Sequence, residues 1–363
     1  MTDSPYSAMA EVKRLVRAGK PAQATTLLQR LLGGGTAAPA ATPATGPDIL
    51  ARLGATRSEP HAAKRAKPPA APAVSAPSGA RFIARSFRNA AGSRDYKLYV
   101  PSGYRGRPLP LIVMLHGCTQ SPDDFAAGTR MNELAETGPF LVAYPAQAAS
   151  ANASKCWNWF DLGHQRREGG EPALIAGITR QIMGEYAVDS RRVYVAGLSA
   201  GGAAAAILGA AYPDLYAAVG VHSGLPVGAA RNVPSAFTAM RNGGGFAAER
   251  RAAEACVPTI VFHGDRDTTV HPANGDNVIA QAMVPGLSVG VRDGEVAGGR
   301  AYRVTRHADA SGRAVLEQWA IRGAGHAWSG GSPSGSYTDG HGPDASREMV
   351  RFFLAHANPR AAD

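Results

Sequence analysis

The chain is poor in the residues that build disulfide frameworks, metal sites and membrane spans. Its 363 residues include 3 cysteines, which excludes a small disulfide-stapled scaffold. No two histidines have the HExxH spacing of a zinc-binding helix and no CxxC pair is present, so neither a metal nor another cofactor is expected. No stretch reaches the roughly 18 consecutive apolar residues of a membrane-spanning helix, so no transmembrane segment is expected.

The N-terminal region also lacks the features of a secretory signal and of a nucleic-acid-binding domain. A signal peptide needs an apolar run of about 7 to 15 residues, and Lys13, Arg14 and Arg17 interrupt any such run; this favours a cytoplasmic protein. Residues 1–80 hold 10 basic against 4 acidic residues. Their basic cluster at 64–67 has no interleaved aromatic residues, so no specific nucleic acid is expected as a partner. A solvated tail, or attraction to an anionic surface, explains the charge better.

Three segments follow one another along the chain. Residues 1–33 place apolar side chains at helical spacing on both sides of Gly19 and Pro21, which predicts an amphipathic helical hairpin. Residues 34–80 contain 8 of the 26 prolines and much alanine, which predicts a disordered linker. Residues 81–363 are long enough to form one domain with its own core.

The last segment alternates apolar runs with helical patterns. This alternation predicts an α/β fold in which helices cover both faces of a mostly parallel sheet. Two early runs, near 82–87 and 95–100, are expected to form an antiparallel start. The parallel strands are expected near 109–115, 140–144, 192–196, 217–222, 258–262 and 316–321, and the helices near 123–137, 171–186, 201–211, 274–283 and 345–355.

The clearest chemical signal is a serine flanked by glycines at the end of an apolar strand. The sequence VYVAGLSAGG at 193–202 places Ser199 between Gly197 and Gly201 in a GxSxG pattern. Glycines at these positions avoid Cβ clashes where a strand turns sharply into a helix, and the alanine-rich stretch that follows is a good helix former. Ser199 is therefore the predicted nucleophile.

A serine nucleophile in this order of elements needs an acid and then a histidine further along the chain. Asp265 and Asp267 both follow the apolar run at 258–262. Asp267 is preferred, because Asp265 directly follows the strand and suits a turn. His326, in a glycine-rich loop after the last strand, is the predicted general base, and His341 is the alternative.

The developing oxyanion of acyl transfer needs backbone donors. One is expected from the residue after the nucleophile, Ala200. The other is expected from the loop after the strand at 109–115, where the backbone N–H of Cys118 is the predicted donor.

With these pieces assembled, residues 81–356 resemble the catalytic domain of short-chain polyhydroxyalkanoate depolymerases, the poly(3-hydroxybutyrate) depolymerase-type esterases, which are related to feruloyl and acetylxylan esterases. The resemblance implies an α/β-hydrolase fold, a triad of Ser199, Asp267 and His326, and an oxyanion role for Cys118. It is carried by DYKLYVP at 95–101, MLHGCTQ at 114–120, CWNWF at 156–160, GLSAGG at 197–202, HSG at 222–224 and GHAW at 325–328.

The resemblance also implies a substrate, namely poly(3-hydroxybutyrate) or its oligomers. Trp328, two residues after the base, and Trp157 and Trp159 are expected to line an apolar subsite for it. The helical hairpin within residues 1–80 is a candidate for contact with a polymer granule. The oligomeric state of the protein stays open. A feruloyl or acetylxylan esterase, or a short-chain carboxylesterase, is the alternative function, and a non-catalytic granule-binding protein is the less favoured one.

Two linked questions stay open: whether the cysteines are free thiols or form a disulfide, and whether the protein is cytoplasmic or extracellular. An odd number of cysteines suits buried free thiols in the cytoplasm. A Cys118–Cys156 disulfide is the alternative, because both residues lie in loops expected to converge near the site. Many members of the family are secreted, so an extracellular location is the alternative to the cytoplasm.

Overall fold

Ten strands form one sheet whose centre is parallel. The computed structural model describes residues 77–243 and 257–361. In the order β1-β2-β4-β3-β5-β6-β7-β10-β9-β8, the neighbours from β4 to β10 pair in parallel and the outer ones antiparallel. The strands are β1 (Arg81–Asn89), β2 (Gly92–Val100), β3 (Leu109–Leu115), β4 (Leu141–Pro145), β5 (Val188–Leu198), β6 (Ala218–His222), β7 (Thr259–Gly264), β8 (Ser288–Glu295), β9 (Ala301–Ala308) and β10 (Ala314–Ile321).

Within residues 77–243 and 257–361, seven helices cover the two faces of this sheet. Side chains alternate along each strand, so Leu111 and Val113 face one apolar cluster while Ile112 and Met114 face the other. The first cluster is covered by α3 (Gly170–Glu185), α4 (Ala200–Ala211), α5 (Val233–Asn242) and α6 (Ala273–Ala282). The second is covered by α1 (Pro122–Thr129), α2 (Met131–Thr137) and α7 (Ala345–Leu354). The predicted α/β architecture, a mostly parallel sheet with helices on both faces, is thus confirmed.

The six apolar runs predicted as parallel strands are the six parallel strands of the sheet. Every residue from Leu111 to Leu115 in β3 is buried, as are all five residues of β6. A parallel strand covered on both faces needs apolar side chains throughout, which is why these strands were visible in the sequence. The loops that follow β3, β5, β7 and β10 all leave the sheet at its carboxyl edge, where sites in such folds assemble.

Three features differ from the sequence expectations. The helix expected over 123–137 is two helices, separated at Arg130, whose φ of 53° is left-handed. β8 and β9 were not predicted, because β8 is almost entirely exposed and shows no apolar alternation. α5 was also missed, although Asn232 and Ser235 form a capping box at its start, a local signal that was there to be found.

The predicted hairpin at 1–33 and all of the predicted linker at 34–80 except residues 77–80 lie outside the described residues. In the ranges 77–243 and 257–361, no helix is long and apolar enough to cross a bilayer.

Candidate active site

The turn from β5 into α4 holds Ser199 in a strained conformation. Its φ of 58° and ψ of −119° lie in a region that residues with a Cβ rarely adopt. A Cβ on Gly197 would lie 2.4 Å from the Gly201 carbonyl carbon, and one on Gly201 would lie 2.1 Å from the Leu115 carbonyl oxygen. Only glycine therefore fits on either side of the serine, because the turn is pressed against the end of β3.

Several backbone N–H groups at this edge of the sheet have no acceptor among residues 77–243 and 257–361, and two of them are the predicted oxyanion donors. They belong to Cys118, in the loop after β3, and to Ala200, the first residue of α4. The neighbouring N–H of Gly117 is occupied, since it donates to Gln120 Oε1 at 2.8 Å. Unoccupied donors at a helix N-terminus favour negative charge, so the pair is suited to an oxyanion.

His326 and Asp267 are brought together from loops 59 residues apart in the sequence. His326 Nδ1 lies 2.7 Å from Asp267 Oδ2. The other carboxylate oxygen, Oδ1, accepts the backbone N–H groups of Thr269 and Val270, each at 2.9 Å. The Asp267 side chain is fully buried and that of His326 is 12% exposed. With its Nδ1–H donated to the carboxylate, the ring presents Nε2 as an acceptor for a hydroxyl proton.

The charge on Asp267 is stabilised by its surroundings. Burial alone would raise the pKa of this carboxyl, but hydrogen bonds from His263 and His326 outweigh burial and hold the pKa well below its usual range. Asp267 is therefore ionised across the neutral range and can stabilise a protonated His326.

The competing candidates have other partners. Asp265 Oδ1 accepts the backbone N–H of Gly323 at 2.6 Å and so ties the β7 loop to the β10 loop. His341 has a side chain that is 76% exposed, and it lies 3.4 Å from Asp339. The geometry thus pairs Asp267 with His326 and leaves Asp265 and His341 outside this pair.

The loop that carries the Cys118 N–H is fastened to a second loop, residues 146–161. A disulfide joins Cys118 to Cys156. The N–H of Thr119 donates to the Ser154 carbonyl at 2.7 Å, and Trp157 Nε1 donates to the His116 carbonyl at 3.0 Å. The expectation of free thiols is therefore wrong for these two cysteines, because the predicted convergence of their loops brings them into bonding contact.

Glu171, in the first turn of α3, holds that second loop in place and was missed in the sequence. It is buried, and its carboxylate accepts the backbone N–H and the side-chain amide of Asn158, each at 2.7 Å. Gln147 also donates to it, and the same Gln147 amide donates to the Cys156 carbonyl at 2.9 Å. An acidic residue in the first turn of a helix is common, so no local signal distinguished this one.

Two buried histidines support the site in their neutral form. His116 Nε2 accepts the N–H of Gln147 at 3.1 Å, which assigns its proton to Nδ1, 2.7 Å from the Gly117 carbonyl. His222 Nε2 accepts the N–H of Ser329 at 2.9 Å, three residues after the predicted base. Burial lowers the pKa of His116 to about 4 and that of His222 to about 3.

The three tryptophans expected to contact substrate lie in the core. Trp157 is 0% exposed, Trp328 is 1% exposed and Trp159 is 6% exposed. The indole N–H of Trp157 donates to the His116 carbonyl, and that of Trp328 donates to Ser346 Oγ, each at 3.0 Å. All three rings therefore pack in the interior, and their contact with a substrate stays a prediction. In the described part of the chain, no group of three His, Cys, Asp or Glu side chains is placed to hold a metal ion.

Comparison with known proteins finds relatives among esterases. Residues 94–309 match the family model described as "Esterase PHB depolymerase". The chain is 32% identical over 256 residues to poly(3-hydroxyalkanoate) depolymerase C of Paucimonas lemoignei, which covers 66% of this chain and 60% of that protein. It is 30% identical over 203 residues to probable acetylxylan esterase A of Aspergillus flavus, which covers 51% of this chain and 64% of that protein.

These matches span less than two thirds of the length of either relative. Among solved structures, the fold is similar to that of an acetyl xylan esterase from Aspergillus awamori, with a TM-score of 0.55 and 20% identity over 72% of this chain and 94% of that one. The family model covers more than half of the chain. The chain therefore belongs to the PHB depolymerase family of esterases and has the α/β-hydrolase fold.

Proposed function

We propose that the chain hydrolyses the ester bonds of poly(3-hydroxybutyrate) or its oligomers through Ser199, His326 and Asp267. The observation that carries this proposal is the His326–Asp267 pair, 2.7 Å apart, at the same sheet edge as the strained Ser199 turn. The two unoccupied N–H groups of Cys118 and Ala200 support it, because they are the donors that a developing oxyanion requires.

The reaction runs in two halves. Ser199 Oγ attacks the ester carbonyl carbon while His326 Nε2 takes the hydroxyl proton, and the N–H groups of Cys118 and Ala200 hold the oxyanion. The bond to the alcohol oxygen then breaks, and His326 returns the proton to the leaving alcohol. Water attacks the acyl-enzyme in the same way, which releases the hydroxy acid and restores the serine. Asp267 keeps the proton on His326 Nδ1 and stabilises the ring when it is charged.

The substrate class rests on the relatives. The polymer-degrading relative is more similar to this chain, and over a longer stretch, than the acetylxylan esterase. A carbohydrate esterase of the same family would use the same triad, so the two functions differ in substrate and share the chemistry. Whether the polymer is a substrate is therefore tested with the polymer itself.

The disulfide bears on the compartment. Disulfides persist in oxidising surroundings and are rare in the cytoplasm. The Cys118–Cys156 bond thus supports the extracellular alternative over the cytoplasmic expectation. Contact of residues 1–80 with a granule surface stays a proposal, since residues 1–76 are outside the described part of the chain.

Two activities are measured in parallel: the loss of turbidity of an amorphous poly(3-hydroxybutyrate) granule suspension, and the hydrolysis of p-nitrophenyl butyrate. Ser199→Ala is expected to abolish both activities, with a loss in kcat on the order of 10⁶-fold. Ser311→Ala, a serine in the turn between β9 and β10, is the matched control and is expected to retain both. Clearing that survives in Ser199→Ala would refute the triad. Ester hydrolysis that depends on Ser199 but does not clear the suspension would exclude the polymer as a substrate. Oligomers or carbohydrate esters would then be the substrates to test.

A further inference from the structure

Tyr337 is the one aromatic residue with a well-exposed side chain in the described part of the chain. Its exposed fraction is 47%, whereas the other described aromatic rings are buried or half-buried. Isolated aliphatic side chains are common on protein surfaces, but an aromatic ring left in water beside a site is informative, since its apolar area gains from being covered. The question is what covers it.

The backbone of Tyr337 is tied to the segment that follows the proposed base. Its carbonyl oxygen accepts the N–H of Trp328 at 2.7 Å. The next residue, Thr338, pairs with Trp328 in a two-stranded sheet of β11 (Trp328–Ser329) and β12 (Thr338–Asp339). Trp328 is two residues after His326. Tyr337 is therefore held beside the loop of the general base.

The ring of Tyr337 reaches the opposite loop, which carries the proposed oxyanion donor. Its hydroxyl lies 3.3 Å from Thr119 Oγ1. Thr119 directly follows Cys118 and has a left-handed φ of 67°. One exposed ring thus connects the two loops that supply the base and the oxyanion donor, at the sheet edge where Ser199 lies.

This placement is enforced against the preference of the backbone. Tyr337 has a φ of 53°, which is unfavourable for an aromatic residue. The preceding residue, Ser336, is fixed by Asp124 and Gln120. Its N–H and hydroxyl donate to Asp124 at 2.9 and 2.6 Å, and its carbonyl accepts the Gln120 amide at 3.0 Å. The ring is therefore presented in one orientation on a loop anchored to α1.

We propose that Tyr337 is a substrate-contacting residue, whose ring covers the hydroxyacyl units that flank the ester bound at Ser199. This inference rests on the proposed function and adds the residue that recognises the chain of the substrate. A hydroxybutyrate unit carries a methyl branch and no charge, so the face of a ring is a suitable surface for it. The three tryptophans are buried, whereas the Tyr337 ring is exposed and offers such a surface.

The proposal predicts a loss that grows with the length of the substrate. A 3-hydroxybutyrate oligomer extends over the ring, whereas p-nitrophenyl acetate presents only its acetyl group to the acyl side. We expect Tyr337→Ala to lower the ratio of kcat/KM for the oligomer to kcat/KM for the acetate by about tenfold, the scale of one lost aromatic contact. Tyr337→Phe, which keeps the ring, is expected to recover most of that ratio.

Two further variants separate substrate contact from a change in the loop. Tyr337→Asn removes the ring but tolerates the left-handed backbone, so it should match Tyr337→Ala. Val289→Ala removes exposed apolar surface from the edge strand β8 and should leave the ratio unchanged. An unchanged ratio in both ring-less variants, or an equal fall for both substrates, would overturn the proposal. An absence of serine-dependent hydrolysis in the unmodified chain would instead overturn the proposed function itself.

Discussion

Cys118 and Cys156 are joined by a disulfide across 38 residues of sequence, and the bond fastens the loop of the proposed oxyanion donor to residues 146–161. The same pair of loops is connected by the Thr119 N–H to the Ser154 carbonyl. The donor after β3 therefore cannot move without the second loop, and the second loop is held by Glu171. Preorganised donors stabilise an oxyanion without reorganisation during the reaction.

Breaking this disulfide should lower turnover more than binding. We expect Cys156→Ser to reduce kcat by about 10- to 100-fold with little change in KM, since a displaced donor acts mainly on the transition state. Loss of the cross-link should also cost about 3 to 4 kcal/mol of unfolding free energy. Kinetics and denaturant unfolding with and without dithiothreitol measure both effects. Cys256→Ser is the matched control, and an equal response in that variant would contradict the assignment.

Glu171 should act as a positioning residue for the same loop. Glu171→Gln keeps the shape of the side chain but removes the charge that strengthens its hydrogen bonds to Asn158. We expect kcat for p-nitrophenyl butyrate to fall by about tenfold while KM changes little. Glu185→Gln, at the exposed end of the same helix, is the control. A rise in KM with constant kcat would show that Glu171 does not act through the oxyanion loop.

Substituting the two aspartates after β7 should have very different effects on kcat. Asp267→Asn removes the carboxylate that sets the proton of His326 on Nδ1, so kcat should fall by about 10⁴-fold. Asp265→Asn weakens only the bond to the Gly323 N–H and should lower kcat by less than about tenfold. Steady-state kinetics at neutral pH on the two variants decide between them. Comparable losses of kcat in the two variants would contradict the assignment of Asp267, rather than Asp265, as the partner of His326.

The buried histidines should make the fold sensitive to mild acid. The pKa of His116 is lowered to about 4 and that of His222 to about 3, both by burial, from an unfolded value near 6.5. Below pH 6.5 the unfolded chain binds protons that the folded chain excludes, so stability is complete above 6.5 and decreases as the pH falls toward 4. Each histidine contributes a slope of about 1.4 kcal/mol per pH unit in that window.

Urea unfolding at several pH values between 8 and 5 measures this slope. His222→Asn should be less stable at pH 8 but should show a shallower decrease toward pH 5. His341→Asn, which changes an exposed ring, should keep the full slope. Asp267 does not contribute in this range, because its lowered pKa affects stability only below the ordinary carboxyl range. A slope identical in all three proteins would show that His222 is not held neutral.

The fold and the order of the proposed catalytic residues could be predicted from patterns along the chain. The β3 run Leu111–Leu115 is apolar throughout because parallel strands are covered on both faces, and this is a local pattern. The Ser199 turn was equally readable, since the clashes that require Gly197 and Gly201 arise within a few residues of the nucleophile or at the adjacent strand end. Exposed elements such as β8 were missed because they bury too little to need an apolar pattern.

Tertiary structure decided everything that depends on which distant side chains meet. Sequence patterns supported only a preference for Asp267 over Asp265, whereas the fold brings His326 to within 2.7 Å of Asp267 from 59 residues away. The partner of Cys118, and the burial of Trp328 against the exposure of Tyr337, depend on loops that converge only once the sheet has formed. The sequence by itself determined the parallel strands, the turn at Ser199 and the order of the proposed catalytic residues, because those follow from local sterics and periodicity. The packing of loops at the carboxyl edge of the sheet decided which groups became partners.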